Sequence, residues 1–407
     1  MIVATRNTVR NLSSDLLAPP LTAGARVDAC IVGAGLAGMV AAYLLARDQR
    51  SVMVVDDGPI GGLQGGCEAA HLASVVERPY ALLEARHGTS GARLAAQSYA
   101  AAIDTLEWIV RREHIACDFE RVDGYLFAAP GDAPGAIECE YEAARMAGVE
   151  GVELVQRAPI EGAAWGPCVR YPGQAHFHPT RFLAGLARAI TREGGRIHCG
   201  VRCRSIDTGR PVSVLTTTGH RVEAGVLVTS HPLRPDGAPE TKPAPRMAHV
   251  VGLRVPRGSI PRALYWESSD TARWVRLRSQ GIGAGEVLMV GGEDPAGEDD
   301  HTAYRYLALE EWARTRFPGA GDVVQRFTGQ VVQAPDLFAM ASRGECDSDS
   351  VYVATGDWGT AMTRGIIAGL VIKDFAEGAE MPWADLYVPE ACYAGAHRVR
   401  AGADPTP

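Results

Sequence analysis

The sequence lacks an excess of basic residues. Its 407 residues include 40 Lys and Arg against 48 Asp and Glu, which gives a formal net charge of -8. Nucleic acids and anionic membranes are bound through basic faces, so this balance argues against either kind of partner. No apolar run reaches the roughly 18 residues of a membrane span, and residues 1–20 show no export signal. We therefore expect a cytoplasmic protein.

Paired cysteines are also missing. The nine cysteines form no Cys-x-x-Cys pair, the spacing that structural zinc sites use. His176 and His178 precede Pro179 in what resembles a helix entry, and residues 299–301 are typical of a solvated loop. We therefore expect reduced, mostly buried thiols and no metal ion.

A glycine-rich turn follows the first apolar run of the chain, residues 27–32, which has the composition of a buried parallel strand. The turn is Gly33-Ala34-Gly35-Leu36-Ala37-Gly38. In such a turn Gly33 allows the sharp bend, Gly35 lets the backbone approach a pyrophosphate, and Gly38 lets helix and strand pack closely. The N–H groups and the positive dipole end of the helix then face the phosphates.

An acidic residue closes the strand that follows. Residues 52–55 form the next apolar run, and Asp56 and Asp57 come directly after it. A carboxylate at this point can accept hydrogen bonds from both ribose hydroxyls of a dinucleotide. Asp56 is the first choice and Asp57 the alternative. Strand, turn, helix, strand and acidic residue together predict a dinucleotide-binding βαβ unit.

No second Gly-x-Gly-x-x-Gly turn occurs in the sequence, because residues 281–285 have the wrong spacing and are typical of a loop. A reductase that binds FAD and NAD(P)H on paired Rossmann domains is therefore disfavoured. Further glycines follow the acidic residue, at Gly61 and Gly62 and again at 65–66. A chain wrapping an extended FAD explains them better than a plain NAD dehydrogenase does. We expect one FAD, reduced by the organic substrate itself.

The remaining pattern predicts an α/β protein with a Rossmann-type FAD-binding domain and an interleaved substrate domain of β-sheet and helices. Helices are predicted at 92–115, 180–193 and 303–317, and short strands cluster at 246–292. The predicted boundaries are an arm at 1–25, cofactor-domain segments at 26–91, 175–235 and 325–380, substrate-domain segments at 92–174 and 236–324, and a C-terminal tail at 381–407.

Segments spread over most of the chain carry a resemblance to known proteins. They are AAHL at 69–72, CDFERVDGYLF at 117–127, FHP at 177–179, VPRGS at 255–259, VGGED at 290–294, ATGDWGTAMT at 354–363 and PWADLY at 382–387. With the glycine turn, they resemble the D-amino-acid oxidase/glycine oxidase (DAO) superfamily of FAD-dependent oxidoreductases, which implies a GR2-type Rossmann domain. The similarity is greatest to the bacterial branch that is often fused to a C-terminal Rieske domain.

The resemblance implies which residues hold the flavin. A loop and helix start near the C-terminus should lie at the pyrimidine edge of the ring, where backbone N–H groups would stabilise the charge of reduced flavin. These residues are Gly356, Asp357, Trp358, Gly359, Thr360, Ala361, Met362 and Thr363. Residues 201–203, ending at Cys203, should lie against the adenine through backbone groups.

Three side chains are candidates for the substrate side of the flavin. His71 lies where some relatives attach FAD covalently, and a hydrogen-bonding or substrate-facing role and a packed structural role also stay open. Arg364 follows the flavin loop and could pair with a substrate carboxylate, or cap its helix in solvent. Tyr265 lies on a predicted second-domain strand and could roof the pocket or belong to the core. The same alternatives hold for Trp266, Trp274 and Arg276.

Two departures from the family bear on function. No Rieske Cys-His pattern occurs in the sequence, so electrons from reduced flavin are expected to pass to O2 or to a separate redox-partner protein. The segment APDLFAM at 334–340 replaces a Pro-Asp-Gly-Leu-Pro type of segment that lies near the flavin in relatives. The substrate or its orientation is therefore expected to differ.

The resemblance implies an enzyme that oxidises a small amine or an amino acid, N-substituted ones included. A C–H next to the amine nitrogen loses hydride to flavin N5 and the imine hydrolyses, so the protein must orient the neutral amine and exclude water. Two alternatives stay open. A flavin monooxygenase using NAD(P)H would share Gly356-Asp357 after an apolar strand, with 236–237 as a poor second match. A flavin-bound protein without catalysis is suggested by the altered segment 334–340.

Overall fold

The computed structural model describes residues 14–62, 70–75, 79–160, 165–229, 246–268, 273–279, 285–293, 302–331, 341–343, 350–354, 362–379 and 381–387. Its strands form two sheets. The first contains β1 (Ala25–Val32), β2 (Val52–Val55), β7 (Arg196–His198), β8 (Cys203–Asp207), β9 (Val212–Thr216), β10 (Arg221–Thr229), β16 (Ala341–Arg343) and β17 (Val351–Ala354). The second contains β3 (His71–Leu72), β4 (Glu120–Phe127), β5 (Glu153–Val155), β6 (Cys168–His176), β11 (Arg246–Val255), β12 (Ala263–Glu267), β13 (Trp274–Ser279), β14 (Glu286–Glu293) and β15 (Val323–Val331).

The described helices pack against these sheets. They are α1 (Leu36–Arg47), α2 (Tyr80–Arg112), α3 (Ala136–Met146), α4 (Pro179–Arg192), α5 (Thr302–Arg316) and α6 (Met362–Glu377), with short 3-10 turns at Ser14–Leu16 and Ala384–Tyr387. Helices α4 and α5 match the predicted segments to within a residue at each end. Among the described residues, no helix combines the length and the apolar character that crossing a lipid bilayer requires.

The first sheet is the predicted dinucleotide-binding sheet. Its central strands run in the order β17-β10-β1-β2-β7 and are all parallel, which confirms the α/β fold class. Helix α1 joins β1 to β2 and is buried along nearly its whole length, from Leu36 to Ala46. It lies between the sheet and α6, where a Cβ on Gly369 would come within 2.8 Å of the Val40 Cβ. A glycine at 369 therefore sets how closely the two helices approach.

The second sheet runs in the order β15-β11-β14-β13-β12-β4-β6-β3, and its pairs are antiparallel except for β12 with β4. Side chains alternate between its two faces. On β13, Val275 and Leu277 belong to the core beneath α5, so Trp274, Arg276 and Arg278 project from the opposite face. We call that opposite face the substrate-side face.

Helix α2 begins twelve residues before the predicted start because its N-terminus is capped from a distant part of the chain. The Glu140 carboxylate of α3 accepts hydrogen bonds from the Tyr80 and Ala81 N–H groups, both at 2.9 Å. The Tyr171 hydroxyl also donates to Glu140, at 2.6 Å. The helix is kinked at Gly88, whose φ of 68° is left-handed. The sequence pattern detects the amphipathic part beyond the kink but not the capped first turns.

Candidate functional site

The glycine turn and the start of α1 form a cradle for phosphate. Gly33 has a φ of 121°, a conformation that glycine adopts without strain. Gly35 is the N-cap residue of α1, so no side chain caps the helix start. A Cβ on Gly38 would lie 2.3 Å from the Gly33 carbonyl oxygen, so the third glycine brings helix and strand together as predicted. A helix start without a side-chain cap offers its N–H groups to an anion.

The Asp56 carboxylate joins this turn to the end of β2. The Ala34 N–H donates to Asp56 Oδ2 at 2.6 Å, and the Gly58 N–H donates to Asp56 Oδ1 at 2.7 Å. Asp57, the alternative, is exposed and pairs with Arg202 at 3.3 Å. The structure therefore brings Asp56, and not Asp57, to the glycine turn. A ribose beside the turn would meet the Asp56 side chain.

Two further predicted segments fold back on the same place. The Gly61 N–H donates to the Ala34 carbonyl at 2.9 Å, and Gly61 and Gly62 both have left-handed φ values, 81° and 66°. The Val201 N–H donates to the Asp56 carbonyl at 2.8 Å, which leads residues 201–203 past the acidic residue. Burial raises the pKa of the Cys203 thiol to about 11. Cys203 is therefore a neutral thiol, consistent with a role through its backbone.

These observations fit the adenosine diphosphate half of FAD. The uncapped helix start would hold the phosphates, the Asp56 carboxylate would accept a hydrogen bond from a ribose hydroxyl, and the glycines would allow close backbone approach. Six of the predicted flavin-loop residues, 356–361, and glycines 65–66 lie outside the described residues. The remaining two, Met362 and Thr363, are buried residues in the first turn of α6.

The start of α6 is bonded to the segment that carries His71. The Thr363 hydroxyl accepts a hydrogen bond from the Ala73 N–H at 3.0 Å and donates to the Ala73 carbonyl at 3.2 Å. His71 lies two residues earlier on β3, opposite His176 of β6. Its imidazole ring is 5.7 Å from the Trp274 ring, centroid to centroid. The end of the predicted flavin loop and the substrate-side face therefore meet around His71.

Two described arginines, Arg276 and Arg278, project from the substrate-side face near His176 and His178. Arg276 is only 9% exposed, and burial together with the charge of Arg278 lowers the pKa of Arg276 to about 10. Burial also lowers the pKa of Arg278, whose guanidinium donates to Gln325 at 2.7 Å. Burial lowers the pKa values of His176 and His178 as well, and the Arg276 charge adds to the effect. Both histidines are therefore neutral at neutral pH, beside two arginines that are charged.

The structure separates Tyr265 from this group. Tyr265 is 1% exposed, its ring stacks on Tyr125 at 5.7 Å, and its hydroxyl donates to the Pro261 carbonyl at 3.0 Å. Tyr265 and Trp266 are neighbours on β12, so their side chains lie on opposite faces of the sheet. The Tyr265 side chain points to the core beneath α5. Of the two alternatives for Tyr265, the structure therefore favours the core, whereas a pocket role for Trp266, Trp274 and Arg276 stays a prediction.

Arg364 is buried within the helical layer. Burial raises the pKa of Tyr387 well above its ordinary range, and the charge of nearby Arg364 partly opposes this. The Tyr387 hydroxyl makes a short hydrogen bond with the Ser98 hydroxyl of α2. A solvated helix cap is thus excluded for Arg364, while its role toward a substrate carboxylate remains a prediction.

Comparison with known proteins identifies the family. Residues 28–374 match the family described as DAO: FAD dependent oxidoreductase. The chain is 26% identical over 384 residues, 91% of its length and 72% of the relative's, to the protein of Bacillus subtilis (strain 168) named as Rieske 2Fe-2S iron-sulfur protein YhfW. It is 24% identical over 367 residues, 86% of its length and 84% of the relative's, to gamma-glutamylputrescine oxidoreductase of Escherichia coli (strain K12).

The fold comparison points the same way. The crystal structure of glycine oxidase from Geobacillus kaustophilus aligns with a TM-score of 0.73 and 18% identity, covering 90% of this chain and 99% of that one. The family match spans the glycine turn, Asp56 and most of the substrate-side face. The chain belongs to the DAO family of FAD-dependent oxidoreductases.

Proposed function

We propose that the protein oxidises an amine or an amino acid, N-substituted ones included. The observation that carries the proposal is the junction at Thr363, Ala73 and His71, where the start of α6 meets the substrate-side face. A substrate held on that face would lie beside the expected flavin edge. The Escherichia coli relative, named for gamma-glutamylputrescine, which is an amine, supports the same substrate class.

For this reaction the protein must orient the substrate and exclude water from the site. It does not need to supply a strong base. When bound, FAD would supply a two-electron oxidant able to accept the hydrogen beside the amine nitrogen as hydride, and water would convert the resulting iminium ion to a carbonyl compound and ammonia or an amine. His176 and His178, whose pKa values burial lowers, are neutral and do not act as proton donors to a neutral amine. The Trp274 and Trp266 rings lie over glycines, since a Cβ at Gly291 or Gly124 would come within 2.4 Å of them. These indoles form an apolar floor that limits water.

We assign His71 a substrate-facing role in this proposal. It is partly exposed on β3 and faces the Trp274 ring, so it lies at the edge of the apolar floor. The electrons are proposed to leave to O2 or to a separate redox-partner protein. Acid precipitation that leaves the yellow colour with the pellet would instead indicate a covalent flavin at His71.

The test is an anaerobic titration of the purified holoenzyme with a panel of amines and amino acids, followed by absorbance. Bleaching of the flavin by one class, and its return on readmitting air or adding an electron acceptor, supports the proposal. Bleaching by NADPH alone would replace it with a monooxygenase, and no bleaching by any compound would favour a non-catalytic flavoprotein. Trp274→Phe should slow the bleaching, whereas Tyr265→Phe, on the opposite face, should not.

A further inference from the structure

Three titratable side chains form a row across one face of the second sheet. His71 of β3 is directly opposite His176 of β6, and His176 is directly opposite Glu120 of β4. Residues that are directly opposite in antiparallel strands point to the same face, with Cβ atoms about 4.5–5.5 Å apart. We call His71, His176 and Glu120 the His-Glu row. It lies on the substrate-side face, because the His71 ring is 5.7 Å from the Trp274 ring.

The two ends of the His-Glu row differ in their surroundings. His71 lies at the edge of the apolar floor, on the side where the substrate amine is proposed to bind. The His176 side chain is only 11% exposed, and its Nε2 is 3.3 Å from Glu120 Oε2. The Glu120 side chain is 41% exposed. The row therefore leads from the substrate-side face, through a buried imidazole, to a carboxylate that is in contact with water.

The charges around His176 favour the passage of a proton over its storage. Burial lowers the pKa of His176, and the nearby guanidinium groups of Arg276 and Arg262 lower it further, whereas Glu120 opposes them. The imidazole is therefore neutral at neutral pH, and it can accept a proton at one ring nitrogen while it releases a proton from the other. The two arginines repel a proton on His176, and the Glu120 carboxylate attracts it toward the surface.

The proposed reaction requires that a proton leave the site. Amines are mostly protonated at neutral pH, as the Lys ammonium is with its pKa of about 10.4, but the neutral amine is the form that loses hydride. An ammonium group is also costly to bury beside apolar rings such as that of Trp274. A substrate that arrives as an ammonium ion must therefore give up one proton before its C–H bond breaks, and His71 lies where a base would receive it.

We propose that the His-Glu row carries the ammonium proton of the substrate from the site to solvent. This rests on the proposed function. The N–H bond of the ammonium breaks, its electron pair stays on the nitrogen, and the proton passes to His71. His71 releases a proton to His176, and His176 releases one to Glu120. Glu120 releases it to water, so that each group returns to its starting state.

The test is the pH dependence of flavin reduction in the anaerobic holoenzyme, followed by stopped-flow absorbance with benzylamine, glycine and N-methylglycine. Well below the pKa of the amine, Glu120→Gln should slow the reduction by about 100-fold, the lower end of what a positioned proton-transfer group contributes. Above that pKa the amine enters without the extra proton, so the variant should approach the wild-type rate. Imidazole added to the buffer should restore much of the lost rate, because a small base can replace the missing carboxylate.

Glu286→Gln is the matched control. Arg262 pairs with Glu286 at 2.8 Å and with Glu120 at 2.7 Å, so either substitution removes one carboxylate from the same guanidinium, but Glu286 lies outside the His-Glu row. Glu286→Gln should therefore keep the wild-type pH profile. His176→Gln should slow the reduction in the same pH range as Glu120→Gln. The double variant should be no slower than the slower single variant, since both substitutions interrupt one path.

The proposal is overturned if Glu120→Gln slows the reduction equally at every pH and imidazole does not restore the rate, which would show a structural role. It is also overturned if Glu120→Gln keeps the wild-type profile. If none of the amines bleaches the flavin, the proposed function fails, and NMR of isotope-labelled histidine in the holoenzyme tests the row without turnover. Glu120→Gln should then lower the pKa of His176, and His176→Gln should shift the pKa of His71. If neither pKa moves, the His-Glu row shares no proton and the proposal fails as well.

Discussion

The Asp56 carboxylate should contribute separately to the fold of the glycine turn and to FAD binding. In the substitution Asp56→Asn, one side-chain oxygen becomes an NH2 group that faces either the Ala34 N–H or the Gly58 N–H, now at 2.6 and 2.7 Å from the oxygens. One hydrogen bond to a charged acceptor is lost and two donors oppose each other. Bonds to charged groups contribute about 1.5–3 kcal/mol, so the apoprotein should lose about that much stability.

The effect on FAD is a second loss of similar size. The hydrogen bond lost within the turn is missing both with and without FAD, so it does not change the FAD affinity. The affinity should fall only because the hydrogen bond to the ribose is lost, again about 1.5–3 kcal/mol. That corresponds to roughly 10- to 150-fold weaker binding. Denaturant unfolding of the apoprotein measures the first loss, and titration with FAD, followed by quenching of flavin fluorescence, measures the second.

Asp57→Asn is the control, since Asp57 is exposed and its ion pair with Arg202 spans 3.3 Å at the surface. Exposed pairs of this kind contribute about 0–1 kcal/mol. Both stability and FAD affinity should stay close to those of the wild type. The reasoning is refuted if Asp57→Asn has the larger effect on FAD affinity, or if Asp56→Asn binds FAD as the wild type does.

Further predictions follow from other contacts. Gly38→Ala places a Cβ 2.3 Å from the Gly33 carbonyl oxygen, so α1 must move off β1 and the purified protein should contain far less flavin by absorbance. Glu140→Ala leaves the Tyr171 hydroxyl and two N–H groups of α2 without an acceptor, and urea unfolding should show a loss of about 3–5 kcal/mol. Burial raises the pKa of Glu113, but hydrogen bonds from Tyr43 and Arg192 outweigh it, so the net pKa is lowered. The Glu113 carboxylate therefore stabilises the fold above the unfolded pKa of about 4.3, and this stabilisation is lost as pH falls through the lower folded value. Glu113→Gln should flatten the fall in stability between neutral pH and pH 3 in denaturant titrations.

The cofactor end of the site could be predicted from the sequence because its chemistry is local. A glycine turn needs particular residues at fixed spacing, and the acidic residue follows the next strand directly. Gly33, Gly38 and Asp56 can therefore be identified from the sequence alone. The structure places the side chain of Asp56, the first choice, at the glycine turn and that of Asp57 at the surface. Only the structure, however, shows that the Asp56 side chain bonds across to Ala34.

The substrate side was harder to predict because alternation along a strand shows which residues share a face but not which face is buried. The run Trp274-Val-Arg-Leu-Arg278 alternates clearly, but the position of α5 decides which face is core. Tyr265 and Trp266 are adjacent in sequence but lie on opposite faces, so a sequence pattern that groups them cannot show that Tyr265 belongs to the core. Arg278 and Gln325 showed no signal beyond this alternation, and their pairing needs two strands far apart in the chain.

Glu140 and Arg276 show why burial of a charge is not enough to identify a function. Both are charged residues in apolar surroundings, with 2% and 9% exposure. The Glu140 carboxylate accepts hydrogen bonds from three donors on other elements. Its charge is therefore stabilised within the fold, where it holds α2 to α3 and β6. Among the described residues, Arg276 instead lies near a second arginine, Arg278, and near the neutral histidines His176 and His178. Burial of a charge therefore indicates a function only together with the groups around it, and in both cases those groups come from elements that only the folded chain brings together.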